Sequence, residues 1–319
     1  MRADKLRVLT DKIALCAKVF NKLHLMFLSA MIFKFKDKIV VKYLKKTYSN
    51  FINNYTPKYI PPKKHFDKSP VFVCWLQGEE NAPVIVEKCI NSIRRHVKNH
   101  PIVLISEKNL GEYIDIPTYI MDEVNSGRLT RTSYSDIIRS SLLASYGGMW
   151  IDATFFISKD LPSIYFDYPL FSAAKQPEPA NRRNVCISRY RWTGSFIGSS
   201  KNNHLLFCFL RDFFYEYEKN EVVFIDYLLV DYIIFLAYLN FESVKKDIDF
   251  IPNNNINFGW LFHVMNKVFD PEECKKALGG ETFTYKLSWK MKWKRNFKNK
   301  KTFYGAFLDG ELDDKCYTT

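Results

Sequence analysis

The sequence lacks closely spaced cysteines. Cys16, Cys74, Cys89, Cys186, Cys208, Cys274 and Cys316 form no close pair and no Cys-x-x-Cys. An odd, scattered set argues against a disulfide framework and a structural zinc site, and it fits a reducing cytoplasm. Also missing is a long apolar run. The most apolar N-terminal stretch, residues 13–33, is interrupted by Lys18, Lys22 and His24. Its cleanest part, residues 23–33, falls well short of the about 20 residues a membrane-spanning helix needs. No secretory signal is evident. No repeat of solenoid length appears, there is no low-complexity tract beyond Lys-rich pieces, and no His–Cys or His–Asp spacing suggests a nucleophilic triad.

The 319 residues are 47% hydrophobic and 16% aromatic, which excludes general disorder and supplies a sizeable core. The net charge of +13 is unevenly placed. Residues 1–68 hold 16 Lys and Arg against four Asp, a balance of +12, whereas the remainder carries +1. The chain therefore divides into a basic segment, residues 1–68, and a near-neutral globular domain, residues 69–319. In residues 1–48, Ile13, Leu15, Ala17, Phe20, Leu23 and Phe27 recur at helical spacing among lysines. Two readings fit: a helical hairpin packed on the main domain with a solvated Lys face, or a monotopic anchor on anionic lipid. The coexistence of apolar and cationic components favours the anchor, on the inner face of the plasma membrane. Nucleic acid is not an expected partner, because no binding signature accompanies the charge. Residues 56–70, with four Pro and four Lys, read as a linker.

The globular domain opens with the apolar run Val71-Phe72-Val73-Cys74-Trp75-Leu76, ended by Gln77-Gly78, as expected of a parallel strand buried on both faces. Pro83 suits the first turn of a helix reaching about His96, and Ile102-Val103-Leu104-Ile105 reads as a second strand. Strand, helix, strand at this spacing predicts a βαβ unit, hence an α/β fold with a mainly parallel sheet. Ligands of such sheets sit at the carboxyl ends of strands, which places Trp75, Gln77 and Gly78 at a binding edge. After residue 205 the chain reads as helical and aromatic, through residues 205–217 and 224–239.

The run from Ser133 to Thr154 is the most informative. Ser133 or Ser135 can cap a helix that Gly147-Gly148 ends in a left-handed turn, and a strand over residues 149–157 is predicted to follow. The helix is apolar or small around most of its circumference, with Asp136, Arg139 and Ser140 as its polar face. Buried charges must be paired or bound to something, so Asp136 and Arg139 are either a structural i,i+3 pair or a ligand grip. Asp152 stands in a strand otherwise made of Met, Trp, Ile, Ala and Phe, where a carboxylate is costly unless it meets a cation or a sugar hydroxyl.

These residues, together with residues 75–83 and a weaker match at residues 225–229, resemble the capsular polysaccharide synthesis protein family, relatives of glycosyltransferase family 32. The resemblance covers about residues 70–290. It implies a Rossmann-like GT-A core, a nucleotide-sugar donor (a UDP-sugar is favoured), retention at the anomeric carbon, and a surface-glycan acceptor that is lipid-linked. By the same resemblance Trp75, Gln77 and Gly78 lie against the nucleotide. Asp136 and Arg139, with Ser135, hold the donor sugar, and Asp152 is the first acid of an Asp-x-Asp element with Ala153 and Thr154. Lys286, Ser288 and Trp289 belong to an element that closes over the diphosphate. Asp136, Arg139 and Asp152 are thereby the catalytic candidates. Two departures matter: Thr154 stands where the second acid usually is, and Tyr285 stands where relatives commonly have His. Asp152 is left as a thin ligand set for Mn²⁺ or Mg²⁺. The same departures are what a non-catalytic membrane scaffold with a degenerate donor pocket would show. Trp192, in a Trp-Thr-Gly-Ser turn, and Asp226 are candidates for acceptor contact, with helix capping the competing role for Asp226. His204 reads as helix-terminal packing.

Overall fold

A computed structural model describes residues 3–173, 175–176 and 186–312. Cys316 and the end of the predicted globular domain lie outside them. The chain begins with three helices, α1 (Ala3–Lys22), α2 (Met26–Thr47) and α3 (Ser49–Asn53). The α/β part follows: β1 (Val71–Cys74), α4 (Val84–His96), β2 (Ile102–Ile105), α5 (Thr118–Asn125), α6 (Arg131–Tyr146), β3 (Gly148–Ile151), β4 (Phe155–Ile157), β5 (Phe171–Ser172) and β6 (Phe196–Ser199). Helices α7 (Leu205–Asn220), α8 (Leu229–Asn240), α9 (Glu242–Phe250), α10 (Trp260–Val264) and α11 (Pro271–Gly279) come next. The last described elements are β7 (Thr284–Lys286), β8 (Asn296–Phe297), β9 (Lys300–Lys301) and α12 (Phe303–Asp309).

The central sheet has the order β2-β1-β3-β6-β5. β1 pairs parallel with β2, Val71 opposite Ile102, and parallel with β3, Val71 opposite Met149. β6 runs against both β3 and β5, so four strands share one direction and β6 alone is reversed. The expected mainly parallel α/β sheet is therefore present. Val71, Phe72 and Val73 are fully buried, which explains why β1 is continuously apolar rather than alternating. Pro83 stands at the N-cap position of α4, just ahead of the first turn where it was expected, and the helix ends at His96 as read from the sequence.

Three local expectations need correction. Thr130, not Ser133 or Ser135, caps α6: its hydroxyl accepts the Ser133 N–H at 3.2 Å. The predicted strand over residues 149–157 is broken into β3 and β4, because the backbone turns at Asp152, whose carbonyl accepts the Phe155 N–H at 3.0 Å. β4 then leaves the central sheet and pairs with β7. The predicted helix over residues 224–239 starts only at Leu229, since residues 224–228 are held as a loop by Arg7, Thr10 and Lys36 from the N-terminal helices.

Those N-terminal helices fold back on each other and pack on α7 and α8. Arg7 Nη1 donates to the Phe224 carbonyl at 2.6 Å, Lys36 Nζ meets Asp226 Oδ2 at 2.6 Å, and Tyr43 donates to Glu221 at 2.5 Å. The Tyr48 ring lies 4.8 Å from that of Phe213, and Phe51 and Tyr55 pack on Phe209. The opposite side is apolar and uncovered: Phe27 is 76% exposed, Leu15 64% and Leu23 61%, with Val19, Met31 and Phe35 also exposed. Among the described residues no helix is long and apolar enough to cross a membrane. Residues 56–70 run as coil pinned to the domain surface, where Lys63 pairs with Asp115 and Lys64 with Glu112.

Candidate active site

Gly147 and Gly148 set the geometry. Both have positive φ, 66° and 75°, so α6 can stop and β3 can start without an intervening loop. A Cβ on Gly148 would stand 2.2 Å from the Pro70 carbonyl oxygen, so the chain passes too closely there for any side chain. This tight connection fixes α6 beside β3 and brings Arg139 to Asp152.

At the carboxyl ends of β1 and β3 lies a cavity of about 340 Å³. Residues 74–77 line it after β1. From α6 come Arg131, Thr132, Ser135 and, a turn deeper, Arg139. Trp150 and residues 152–154 line it after β3, residues 286–290 from the C-terminal part, and Tyr227 from the loop before α8. Residues 286–290 arrive because β7 pairs antiparallel with β4, Lys286 opposite Phe155, and the Leu287 N–H donates to the Thr154 carbonyl at 2.9 Å.

Asp152 is the one carboxylate lining this cavity, and both its oxygens are engaged. Oδ1 accepts the Trp150 indole N–H at 2.7 Å and lies 3.4 Å from Arg139 Nη2, while Oδ2 lies 2.6 Å from Lys286 Nζ. Burial pushes its pKa up, but Lys286 and Arg139 reverse this, and the carboxyl is held below its ordinary value. Arg139 also meets Asp136 Oδ1 at 3.1 Å, and its guanidinium lies 5.1 Å from the Trp150 ring centre. Asp136 sits behind Arg139 rather than on the cavity wall. Burial pushes its pKa up to about 7; Arg139 pulls it down, while Asp152 and Asp231 push it further up.

The structure thus gathers Trp75, Gln77, Ser135, Arg139, Asp152, Ala153, Thr154, Lys286, Ser288 and Trp289 around one space. Gly78, at φ 87°, forms the turn after Gln77 and is not on the wall. The two acceptor candidates lie elsewhere. Trp192 is buried and donates to Asp231 at 2.8 Å, and Asp226 is tied to Lys36 while accepting the Leu228 N–H at 2.9 Å. His204 caps α7 and meets Asp247 at 3.0 Å. Tyr285 is buried, donating to the Ala277 carbonyl at 3.1 Å, and points away from the site.

Sequence reasoning missed Arg131, Thr132, Trp150, Tyr227, Lys290 and Asp231. Asp231 could have been found by the rule that singled out Asp152, since it is a carboxylate in the apolar run that becomes α8. It stands with Arg139 beside Gly194, where an added Cβ would lie 3.0 Å from Arg139 Nη1 and 3.9 Å from Asp231 Oδ1. Burial pushes its pKa up to about 6.

Two donors await partners: the Trp75 indole N–H and the Arg139 Nε–H are buried with no hydrogen-bond acceptor among the described residues. Both belong to residues on the cavity wall, which carries four cations, Arg131, Arg139, Lys286 and Lys290, around a single acid. That chemistry suits an anionic, oxygen-rich ligand. It does not fit Mn²⁺ or Mg²⁺. The Lys286 ammonium already occupies Asp152 Oδ2, Thr154 adds no charge, and no group of three His, Cys, Asp or Glu able to hold a metal occurs among the described residues.

A family model described as capsular polysaccharide synthesis protein matches residues 21–307. No curated protein matches. Among solved structures, the chain is similar to one titled PaToxG Glycosyltransferase, at 13% identity over 67% of this chain and 83% of that one, with a TM-score of 0.37.

Proposed function

We propose, from the premise that this chain belongs to the capsular polysaccharide synthesis family, that it is a glycosyltransferase of GT-A type using a nucleotide-sugar donor. The observation that carries the reading is the cation-lined cavity at the strand ends, with one acid held ionised at its centre. A nucleoside diphosphate places two negative phosphoryl groups next to a sugar, and the cavity offers the complement. Trp75 and Trp289, with ring centres 5.7 Å apart and nearly perpendicular, flank the space for a flat base.

Lys286 and Arg139 face the position of the developing diphosphate charge. Cations preorganised in a partly buried site stabilise a leaving anion more than they would in water, and they need no reorganisation as the bond breaks. Asp152 fixes both cations, and on donor binding it can exchange a cation contact for a sugar or ribose hydroxyl. Asp136 orients Arg139 from behind. In a retaining, front-face transfer the leaving diphosphate takes the acceptor proton, so no separate general base is assigned. The acceptor is a surface glycan on a lipid carrier. The uncovered apolar side of the N-terminal helices, flanked by lysines, seats the protein on the inner membrane face where such a carrier resides.

The test is release of nucleoside diphosphate from a panel of UDP- and other nucleotide-sugars, with and without a lipid-linked glycan. A donor-dependent product supports the reading. No release and no thermal stabilisation by any donor would remove it.

A further inference from the structure

A second cavity, of about 660 Å³, lies on α2 away from the site described above. Its floor is apolar, built from Val41, Ile187 and Phe235, and its rim carries Lys34, Lys38, Lys42, Lys45, Lys46 and Arg189. The five lysines are exposed, and none of them makes an ion pair among the described residues. They follow the helical repeat along one face of α2, so their aliphatic stems extend the apolar floor while the ammonium groups stay at the mouth. One acid, Asp37, also lines the groove, but it is buried and accepts the Tyr232 hydroxyl. An apolar trough rimmed by unspent cations complements an amphiphilic anion, and a hydrocarbon chain that ends in phosphate offers the highest charge to such a rim.

The groove is joined to the catalytic cavity through two short bridges. Lys36, next to Asp37, grips Asp226, whose neighbour Tyr227 lines the catalytic cavity. On α8, Asp231 stands beside Arg139, and Phe235, four residues or about 6 Å further along the axis, lines the groove. The groove is also continuous along α2 with the exposed apolar residues Phe27, Met31 and Phe35. A lipid drawn from a membrane under those residues would enter with its chain on the apolar floor and its phosphate among the lysines.

We propose that this α2 groove binds the phosphate-proximal end of a single-chain lipid phosphate, the carrier of the glycan acceptor, and so presents the acceptor to the catalytic cavity. The assignment rests on the glycosyltransferase reading for its purpose, but not for its binding chemistry.

Calorimetry on the full chain with farnesyl phosphate, farnesol and inorganic phosphate as separate probes tests it. Farnesyl phosphate is expected to bind at least about tenfold more tightly than either fragment, since hydrocarbon and charge are both engaged. The double substitution Lys38→Glu/Lys42→Glu, at two exposed positions, should weaken it about tenfold or more at low salt. Val41→Trp, which fills the floor and keeps every charge, should weaken it as well, and both variants should hydrolyse nucleotide-sugar like wild type. Farnesyl phosphate binding no tighter than inorganic phosphate, or undiminished in both variants, overturns the groove. Equal binding of dispersed phosphatidylglycerol overturns the carrier assignment, leaving a general anionic-lipid contact. Absence in the wild type of both nucleoside diphosphate release and thermal stabilisation by any nucleotide-sugar would sink the transferase reading while leaving the farnesyl phosphate result to stand or fall separately.

Discussion

Asp152 lies just beyond the end of β3 with both carboxylate oxygens engaged. Its oxygens organise an indole, a guanidinium and an ammonium, so Asp152→Asn leaves the shape but returns two cations to mutual repulsion. Transfer should fall by about 100-fold or more while the folded state persists, with circular dichroism and steady-state rates read side by side. Wild-type turnover in that variant would remove Asp152 from the chemistry. Arg139→Lys keeps the charge but cannot meet Asp136 and Asp152 at once with a planar fork, and should cut transfer severely; unchanged rates would make the pair structural. Because Lys286 already sits on Asp152 Oδ2, dialysis against EDTA should leave the transfer rate unchanged, and restoration by added Mn²⁺ would contradict this. Asp136 gives a pH signature. Its native pKa is raised to about 7 from 3.8, so the folded protein binds more protons than the unfolded chain between those values, and stability attributable to it falls as pH rises through that window. Asp136→Asn should flatten the melting temperature against pH there, as differential scanning calorimetry would show.

At the scale of elements, the connection from α6 to β3 is the part of the fold least tolerant of change. Gly148→Ala would force a Cβ against the Pro70 carbonyl at positive φ, and should cost more than about 2 kcal/mol in chemical denaturation. This connection was legible in the sequence, because Gly147-Gly148 follows a helical apolar pattern and precedes an apolar run. β1, α4 and β2 were legible for the same reason: each has a period and a stop signal. The division of residues 149–157 was not. Asp152, Ala153 and Thr154 contain neither Gly nor Pro, and the turn there is imposed by β7, whose sequence lies far away. The late start of α8 was hidden in the same way, since residues 224–228 are apolar enough for a helix and are held as a loop by hydrogen bonds from α1 and α2. For the site, the single carboxylate and its cations could be read from burial cost alone. Tyr227 and Asp231 could not be placed, because their distance from Arg139 depends on how α7 and α8 pack on α6.

On the scale of the whole molecule, the basic N-terminal segment is distinct in charge but not in packing. Tyr48, Phe51 and Tyr55 cover Phe209, Phe213 and Tyr217, so deleting residues 1–60 would strip an aromatic surface from the domain as well as any lipid contact. Point substitution at the uncovered side is the cleaner probe. Leu23→Asp/Phe27→Asp places two acids where side chains are 61% and 76% exposed, and should leave the melting temperature nearly unchanged. The wild type should pellet with anionic vesicles and be partly released by salt, whereas the double variant should stay in the supernatant. Equal pelleting of the two proteins would move the contact to another surface, the basic residues 286–301 first.

The pairing of β4 with β7 has a consequence for how the protein comes into being. Asp152 and Lys286 are 134 residues apart in sequence, and the cation wall of the cavity is among the last parts of the described chain to be made. Synthesis proceeds from the other end, so the apolar turn between α1 and α2 leaves the ribosome long before Lys286 exists. A growing chain can therefore reach a lipid surface while its cavity still lacks a wall. On such a schedule the helices proposed to meet lipid precede the closing of the cavity, which has no complete wall until Lys286 has been translated.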